Sequence, residues 1–281
     1  MAITVNTNIP SLTAQASLNK ATNAMNTAMQ RMSTGLKINS SKDDAAGMAV
    51  ANKLDYKVSS FGVAQDNAQM GASLLDTMEG VMSVVNDNLQ RIRDLTEQAA
   101  NGTYGSDAIG AIKTEINARL TEINRVANSA EFNGKKLLDG SLSTNGITLQ
   151  VGIDGTSNSQ IALDSSVFQN CTTAAAGLNI AAVPDNWDDS QARTYLTSVD
   201  GAISKVTNAM TAIGGKQSAI SSAIESANVM ATNLTSASSL IKDADIAEES
   251  SNYIKQQILQ QTSATLLATA NQAPSIALNL V

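Results

Sequence analysis

The 281-residue chain has no histidine, a single cysteine and three prolines, and only 3% of it is aromatic. Without histidine it lacks the side chain that titrates near neutral pH and the commonest metal ligand, which excludes most proton-transfer and metal-assisted constellations. Cys171 has no partner for an internal disulfide, and its Thr and Ala neighbours give no metal-ligand spacing, so it reads as an incidental thiol. No glycine loop of the phosphate-binding kind is present. The adjacent carboxylates Asp43-Asp44, Asp188-Asp189 and Glu248-Glu249 do not face each other on a helix, so they cap or solvate rather than catalyse. Basic residues are in deficit, 18 Lys plus Arg against 25 Asp plus Glu for a formal charge of -7, which disfavours nucleic acid and anionic lipid. No apolar run approaches a membrane span, and the opening Met1 to Pro10 lacks a basic-then-apolar signal. The expectation is a non-enzymatic protein without cofactor, metal or membrane insertion, whose export would bypass the general secretory route.

What the chain does have is helical periodicity. Its hydrophobic share is 43%, drawn largely from Ala, Ile, Leu, Val and ten Met, which suits thin helix-on-helix packing and an elongated shape. Near the N-terminus Leu18, Met25 and Met32 form one heptad row, and Ala14, Ala21, Ala28 and Gly35 a second, narrow one. A polar break at 39–44 follows, where Ser40 and Asp43 have capping-box spacing ahead of Ala45. Leu74, Met78, Val81, Val85, Asn88, Ile92, Leu95 and Ala99 alternate steps of four and three without a slip, which predicts a long helix. Asn101-Gly102 and Gly105 interrupt it. Ser106-Asp107 then caps a second stripe through Ile109, Ile112, Ile116, Ile123, Val126 and Ala130, antiparallel to the first.

In the middle of the chain the period changes to two. Ile147, Leu149, Val151 and Ile153 alternate with smaller or polar residues, Asp154-Gly155 supplies a turn, and Ile161 and Leu163 resume the alternation, which predicts a small β-hairpin. The stretch from Ser165 to Asp189 holds Cys171, Pro184 and Trp187 without any period and reads as loop or irregular insertion. Helical spacing returns at Val199, Ile203, Val206, Met210, Ile213, Gln217, Ile220, Ile224, Ala227, Ala231 and Leu234. A final segment carries Ile254, Ile258, Leu259 and Leu266 among Gln, Thr, Ser and Ala. The fold class is therefore mainly α: a long antiparallel helical bundle or coiled coil built from the N- and C-terminal halves, with a small β-hairpin region between them. Such an out-and-back course brings the two ends of the chain together.

Both terminal segments are rich in small and polar residues, and each alone buries too little surface to offset the entropy of ordering it. Helices that gain order only on copies of themselves suit a subunit built to polymerise, and head-to-tail contacts that do not close give helical filaments. Periodicity alone equally admits a soluble bundle with frayed ends.

Particular residues carry more. The opening Met1-Ala-Ile-Thr-Val-Asn-Thr-Asn and the run Arg31-Met-Ser-Thr-Gly-Leu-Lys-Ile-Asn-Ser-Ser-Lys-Asp-Asp-Ala-Ala-Gly47 closely resemble the N-terminal signature of bacterial flagellins. Similar in kind are Leu89-Gln-Arg-Ile-Arg-Asp-Leu95, Gln98-Ala-Ala-Asn-Gly-Thr103, Glu131-Phe-Asn-Gly-Lys-Lys-Leu-Leu138 and Ala244-Asp-Ile-Ala-Glu-Glu249. The resemblance spans roughly the first 140 and last 85 residues. It implies a short flagellin whose inner core comes from residues 1–40 and 239–281 and whose outer core comes from 41–140 and 191–238, with a hairpin and short variable region at 141–190. The polymerisation seam expected from it comprises Leu18, Ala21, Met25, Ala28, Met32, Ile254, Ile258 and Leu266.

The resemblance further implies an extracellular filament, reached through the flagellar export apparatus with an export chaperone, and contacts to junction and cap proteins. It also implies recognition by the animal flagellin sensor, Toll-like receptor 5, through Arg91, Leu95 and Glu115 with Gln90 and Arg119 beside them. Arg91 and Leu95 stand four apart and so share a helix face. The residues alone favour the other reading, in which Leu95 belongs to the intramolecular stripe and Arg91 and Glu115 are solvated charges or contacts between subunits; only the resemblance points to the receptor. A hook-filament junction protein and a secreted helical adhesin are the alternative functions. A zinc-protease insert, which some flagellins carry, is excluded by the missing histidines.

Overall fold

The protein was analysed as a computed structural model that describes residues 7–184 and 187–278. Met1 to Asn6 of the N-terminal signature, Asp185 and Asn186 of the irregular stretch, and the last three residues of the C-terminal segment lie outside the described residues. The elements are α1 (Ile9–Thr34), α2 (Ala45–Ala99), α3 (Ser106–Ser129), β1 (Glu131–Phe132), β2 (Lys135–Lys136), β3 (Ile147–Gln150), β4 (Gln160–Leu163), α4 (Asp189–Lys242) and α5 (Ile246–Leu278), with a short 3-10 turn Ser157–Ser159 before β4. The mainly helical class and the central hairpin are those the sequence predicts. The chain divides into two compact units, residues 59–231 and residues 1–58 with 232–281.

The 59–231 unit holds a continuous apolar core. Every residue of the predicted α2 stripe from Leu74 to Ala99 is buried or half-buried. A row outside that stripe, Leu75, Met82, Leu89 and Thr96, is buried completely. The buried face of α2 is thus wider than a coiled-coil seam, as a helix with more than one packing partner requires. From α3, Ile112, Ile116, Leu120, Ile123 and Ala127 enter this core, and from α4 come Val199, Ala202, Val206, Ala209, Ile213 and Ile220. The two polar residues in the α2 rows are both satisfied. Thr96 Oγ1 donates to the Ile92 carbonyl at 2.7 Å, and Asn88 Nδ2 donates to the Val84 carbonyl at 2.8 Å while its Oδ1 accepts from Arg119 Nη1 at 3.3 Å.

Two local expectations are corrected in this unit and a third is refined. First, α3 begins with Gly105 as N-cap and no side-chain cap bond, so Asp107 contributes only a favourable charge in the first turn. Second, Asn133-Gly134 does more than end a helix. With φ of 49° and 78° these residues turn β1 into β2, paired Glu131 with Lys136 and Phe132 with Lys135, since Asn and Gly tolerate the left-handed region. Third, the stretch after β4 has no regular structure among its described residues, as expected, and it packs inward. Val167, Phe168, Cys171, Leu178, Ile180, Val183 and Trp187 are buried in the core, and Trp187 meets Tyr195 edge-to-face at 5.9 Å.

Two backbone N–H groups of that stretch are bonded by side chains of α3, and others are bonded within the stretch. Asn124 accepts from the Thr173 N–H at 2.9 Å and donates to Thr173 Oγ1 at 2.8 Å, and Asn117 accepts from the Val183 N–H at 3.0 Å. Residues 117 and 124 are two turns apart on one face, a spacing that lets one helix pin an irregular segment along its length. The predicted hairpin is present as β3 and β4, antiparallel with Ile147 opposite Leu163 and Leu149 opposite Ile161. Val151 and Ile153 fall in its loop rather than in the ladder.

In the other unit, Asn8 caps α1 by accepting from the Ser11 N–H at 3.1 Å with Pro10 in the first turn, and Gly35 at φ 70° closes it in the left-handed region. The cap of α2 is Asp44, which accepts from the Gly47 N–H at 2.9 Å, and not Ser40. Asp43 reaches back to the N–H groups of Ser40 and Asn39 at 2.9 and 3.2 Å and so closes the preceding turn. The two connecting segments are zipped together: Lys37 N–H donates to the Lys242 carbonyl at 2.6 Å and Ala244 N–H to the Gly35 carbonyl at 2.9 Å. Beside them Asp55 accepts from Lys242 Nζ at 2.8 Å and from Ser238 Oγ at 2.6 Å.

Candidate assembly interface

Helices α1 and α5 pack antiparallel on each other. On α1 the predicted seam turns inward: Ala21 and Ala28 are buried, and Leu18, Met25 and Met32 are half-buried. The predicted seam residues of α5 do not meet them. Ile254, Ile258 and Leu266 are 52%, 57% and 57% exposed. The face that α5 turns to α1 is mostly polar, with Glu249 and Ser263 buried and Asn252, Gln256 and Gln260 half-buried. The residues expected in the polymerisation seam thus lie on two surfaces of the subunit, an inward row on α1 and an outward row on α5. The signal for this was in the sequence, because Glu249, Gln256, Gln260, Ser263, Leu267 and Ala270 follow helical spacing, but a search for apolar periodicity passes over a polar stripe.

Polar contacts tie the pair. Arg31 Nη1 donates to Glu249 Oε1 at 2.9 Å, Gln260 Nε2 to Thr22 Oγ1 at 3.0 Å, and Asn8 Nδ2 to the Ala270 carbonyl at 2.7 Å. Outward, α5 presents Ile246, Ile254, Ile258, Leu259 and Leu266, and α1 presents Ile9, Leu12 and Met29. A shallow depression lined by Ser251, Ile254, Lys255, Ile258 and Leu259 lies on the open face of α5. This reverses the usual amphipathic arrangement, in which the apolar face meets the subunit's own core. Exposed apolar rows of this extent mark association surfaces.

The charged residues singled out on α2 and α3 form a ladder. Arg91 Nε donates to Glu115 Oε1 at 3.0 Å, Arg119 Nη2 lies 3.8 Å from the same oxygen, and Gln90 is exposed beside them. Leu95 departs from the expected shared face. It is 3% exposed and belongs to the core, so Arg91 and Glu115 are the surface and Leu95 lies beneath. Cys171 is fully buried, and burial pushes its thiol from 9.0 up to about 12, which removes it from thiolate chemistry. Among the described residues no cluster of His, Cys, Asp or Glu could hold a metal ion, and no helix is long and apolar enough to cross a membrane.

A subunit with one completed core and a helix, α5, that keeps its apolar face outside belongs to the class of self-assembling structural proteins. Comparison with known proteins specifies the class. Residues 5–143 match the bacterial flagellin N-terminal helical region, and residues 196–281 match the bacterial flagellin C-terminal helical region. The chain is 34% identical to a flagellin of Xenorhabdus nematophila with 100% of both chains covered, and 33% identical to the flagellin of Bacillus subtilis with 99% of both covered. It also shares its fold with a flagellar hook-associated protein of Vibrio parahaemolyticus, at a TM-score of 0.59 and 17% identity over 71% of this chain and 99% of that one. The chain belongs to the bacterial flagellin family. It is a structural, non-enzymatic subunit that polymerises into the flagellar filament, the extracellular part of the flagellum that serves swimming.

Proposed function

We propose that the outward apolar face of α5, together with the exposed apolar residues of α1, forms the contact between copies in the filament. The observation that carries this reading is the exposure of Ile254, Ile258 and Leu266 on a helix whose inward face is polar. In water these residues have no partner within the described subunit, and a second copy presenting the same face supplies one. The inward row, Leu18, Ala21, Met25, Ala28 and Met32, then aligns α5 for assembly. On this reading residues 1–40 and 239–281 form the inner core of the filament, 41–140 and 191–238 the outer core, and 141–190 the short variable region. The inner-core helices are weakly ordered in the monomer and gain order on assembly.

Delivery to the growing tip follows from the same weakness. Terminal helices held by few bulky contacts unfold at little cost, which suits passage through the flagellar export apparatus with an export chaperone on the C-terminal segment. Junction and cap proteins meet the ends of the filament. The animal flagellin sensor contacts the exposed ladder of Gln90, Arg91, Glu115 and Arg119, with Leu95 holding the helix beneath it.

The test is electron microscopy after polymerisation from short filament seeds, comparing the full chain with a variant lacking 1–40 and 243–281. Long tubes from the full chain and none from the truncated one are expected. A full chain that stays monomeric beside elongation-competent seeds of its own kind would sink the reading in favour of a junction protein or adhesin.

A further inference from the structure

The α1–α5 pair poses a problem of register. Antiparallel helices usually find their alignment through apolar knobs seated in specific holes. Here α5 offers α1 Gln256, Gln260 and Ser263, and α1 answers with Ala21 and Ala28, buried, and with Leu18 and the adaptable Met25 and Met32, half-buried. Small residues and flexible amides pack nearly as well one turn up or down, so these contacts discriminate weakly between alignments.

The contact between Arg31 and Glu249 does discriminate. It is short at 2.9 Å, and its members are mostly covered, with side chains 30% and 11% exposed. Each charge also stands where its helix favours it, Arg31 in the last turn of α1 and Glu249 in the first turn of α5. The pair is not fully satisfied, however: Arg31 Nε is buried with no hydrogen-bond partner. A covered guanidinium with an unmade bond carries a desolvation cost that an apolar pair of similar volume would avoid. A charge retained at such a cost contributes alignment more than stability, as single polar residues do at coiled-coil seams.

We infer that Arg31 and Glu249 are positioning residues that fix the register of α5 on α1. Stepping back along α1 from Arg31 to Thr22 to Asn8 matches stepping forward along α5 from Glu249 to Gln260 to Ala270, so the three polar contacts belong to one antiparallel alignment. The pair selects that alignment and with it the axial position of Ile254, Ile258 and Leu266 relative to α1. A slip of one turn displaces this apolar row by about 5.4 Å, enough to miss its site on a neighbouring copy.

The test reads register directly in filaments of the full chain. Thr22→Cys is combined in turn with Gln256→Cys, Gln260→Cys or Ser263→Cys, the filaments are oxidised, and cross-links within a subunit are separated from those between subunits on non-reducing gels. Cys171 is buried and does not compete. In the parent the yield peaks at 260, with a preference of at least about tenfold, the factor that a charge-assisted hydrogen bond supplies. In Arg31→Met with Glu249→Leu the peak flattens across the three positions although the helices still pair. In Arg31→Glu alone it is lost, and in Arg31→Glu with Glu249→Arg it returns to 260. If the apolar pair forms no filaments, the comparison of the single variant with the charge swap decides. An unchanged peak in the apolar pair, or a swap no better than the single variant, overturns the inference.

Discussion

The two units of this protein put the same amino acids to opposite uses. In residues 59–231, aliphatic side chains at helical spacing face one another, and Leu75, Met78, Met82, Leu89, Ile92 and Ile116 lose essentially all contact with water. In the α1–α5 pair, isoleucine and leucine face out, while Glu249, Gln260 and Ser263 face the partner helix. A helix that buries its apolar face within the chain is finished when the chain folds. On the proposed reading, one that buries its polar face is finished by another molecule, and the contrast separates the part of the chain that folds from the part that assembles.

The sharpest way to break the comparison is to charge the open face. Ile254→Asp with Ile258→Asp is expected to abolish seeded elongation while leaving denaturant unfolding of the monomeric 59–231 core unchanged. Equal damage to core stability would mean that these residues belong to the subunit's own fold. The converse experiment removes a core side chain. Phe168→Ala is expected to lower the unfolding free energy by about 3–5 kcal/mol, because the ring is fully buried although its segment has no regular structure. A loss below about 1 kcal/mol would mean that the stretch contributes no more to the core than a surface loop does.

Titration sharpens the contrast further. Burial raises the Cys171 thiol from 9.0 to about 12, so the unfolded chain ionises first and stability falls as pH rises through that window. Thiol reagents are expected to label Cys171 only on unfolding, and Cys171→Ala is expected to flatten the alkaline limb of the stability curve. Labelling of the native protein at pH 8 would contradict this. The smallest effect concerns the zipped connectors. Lys242 and Ser238 hold the Asp55 carboxyl below its ordinary 3.8, so its contribution is present above that value and is lost as pH falls through the lowered one. With the Asp55 side chain 45% exposed, the contribution stays within about 0–1 kcal/mol. Asp55→Asn is expected to remove that part of the acid sensitivity of the α1–α5 unit, read by helical circular dichroism of filaments between pH 5 and 2; an unchanged acid limb would remove Asp55 from the account.

Legibility in the sequence followed periodicity. Helix α4 could be read from Val199 to Leu234 because its buried residues recur without a slip, and α2 from Leu74 to Ala99 for the same reason. The row through Leu75, Met82 and Leu89 went unread because a seam template expects fewer buried positions than a helix with several neighbours uses. Phe168 and Trp187 were unreadable as core because irregular backbone has no period, and the asparagines that pin it sit on a different helix. The apolar residues of α5 were legible as a seam, but the polar face opposite them was not. An apolar stripe names a face to be buried without saying whether the chain itself or a neighbour buries it. The charged residues on α2 and α3 were found by resemblance, and Leu95 lay beneath that surface because it also keeps the period of the core.

On the proposed reading α1 and α5 are completed by other copies while residues 59–231 are complete alone. Amide hydrogen exchange of the same protein as monomer and as filament tests it most directly. The account expects α5 amides from Ile254 to Leu266 to exchange rapidly in the monomer and to become protected in the filament, with α2 amides around Leu89 protected in both. Equal protection of α5 in monomer and filament would contradict it.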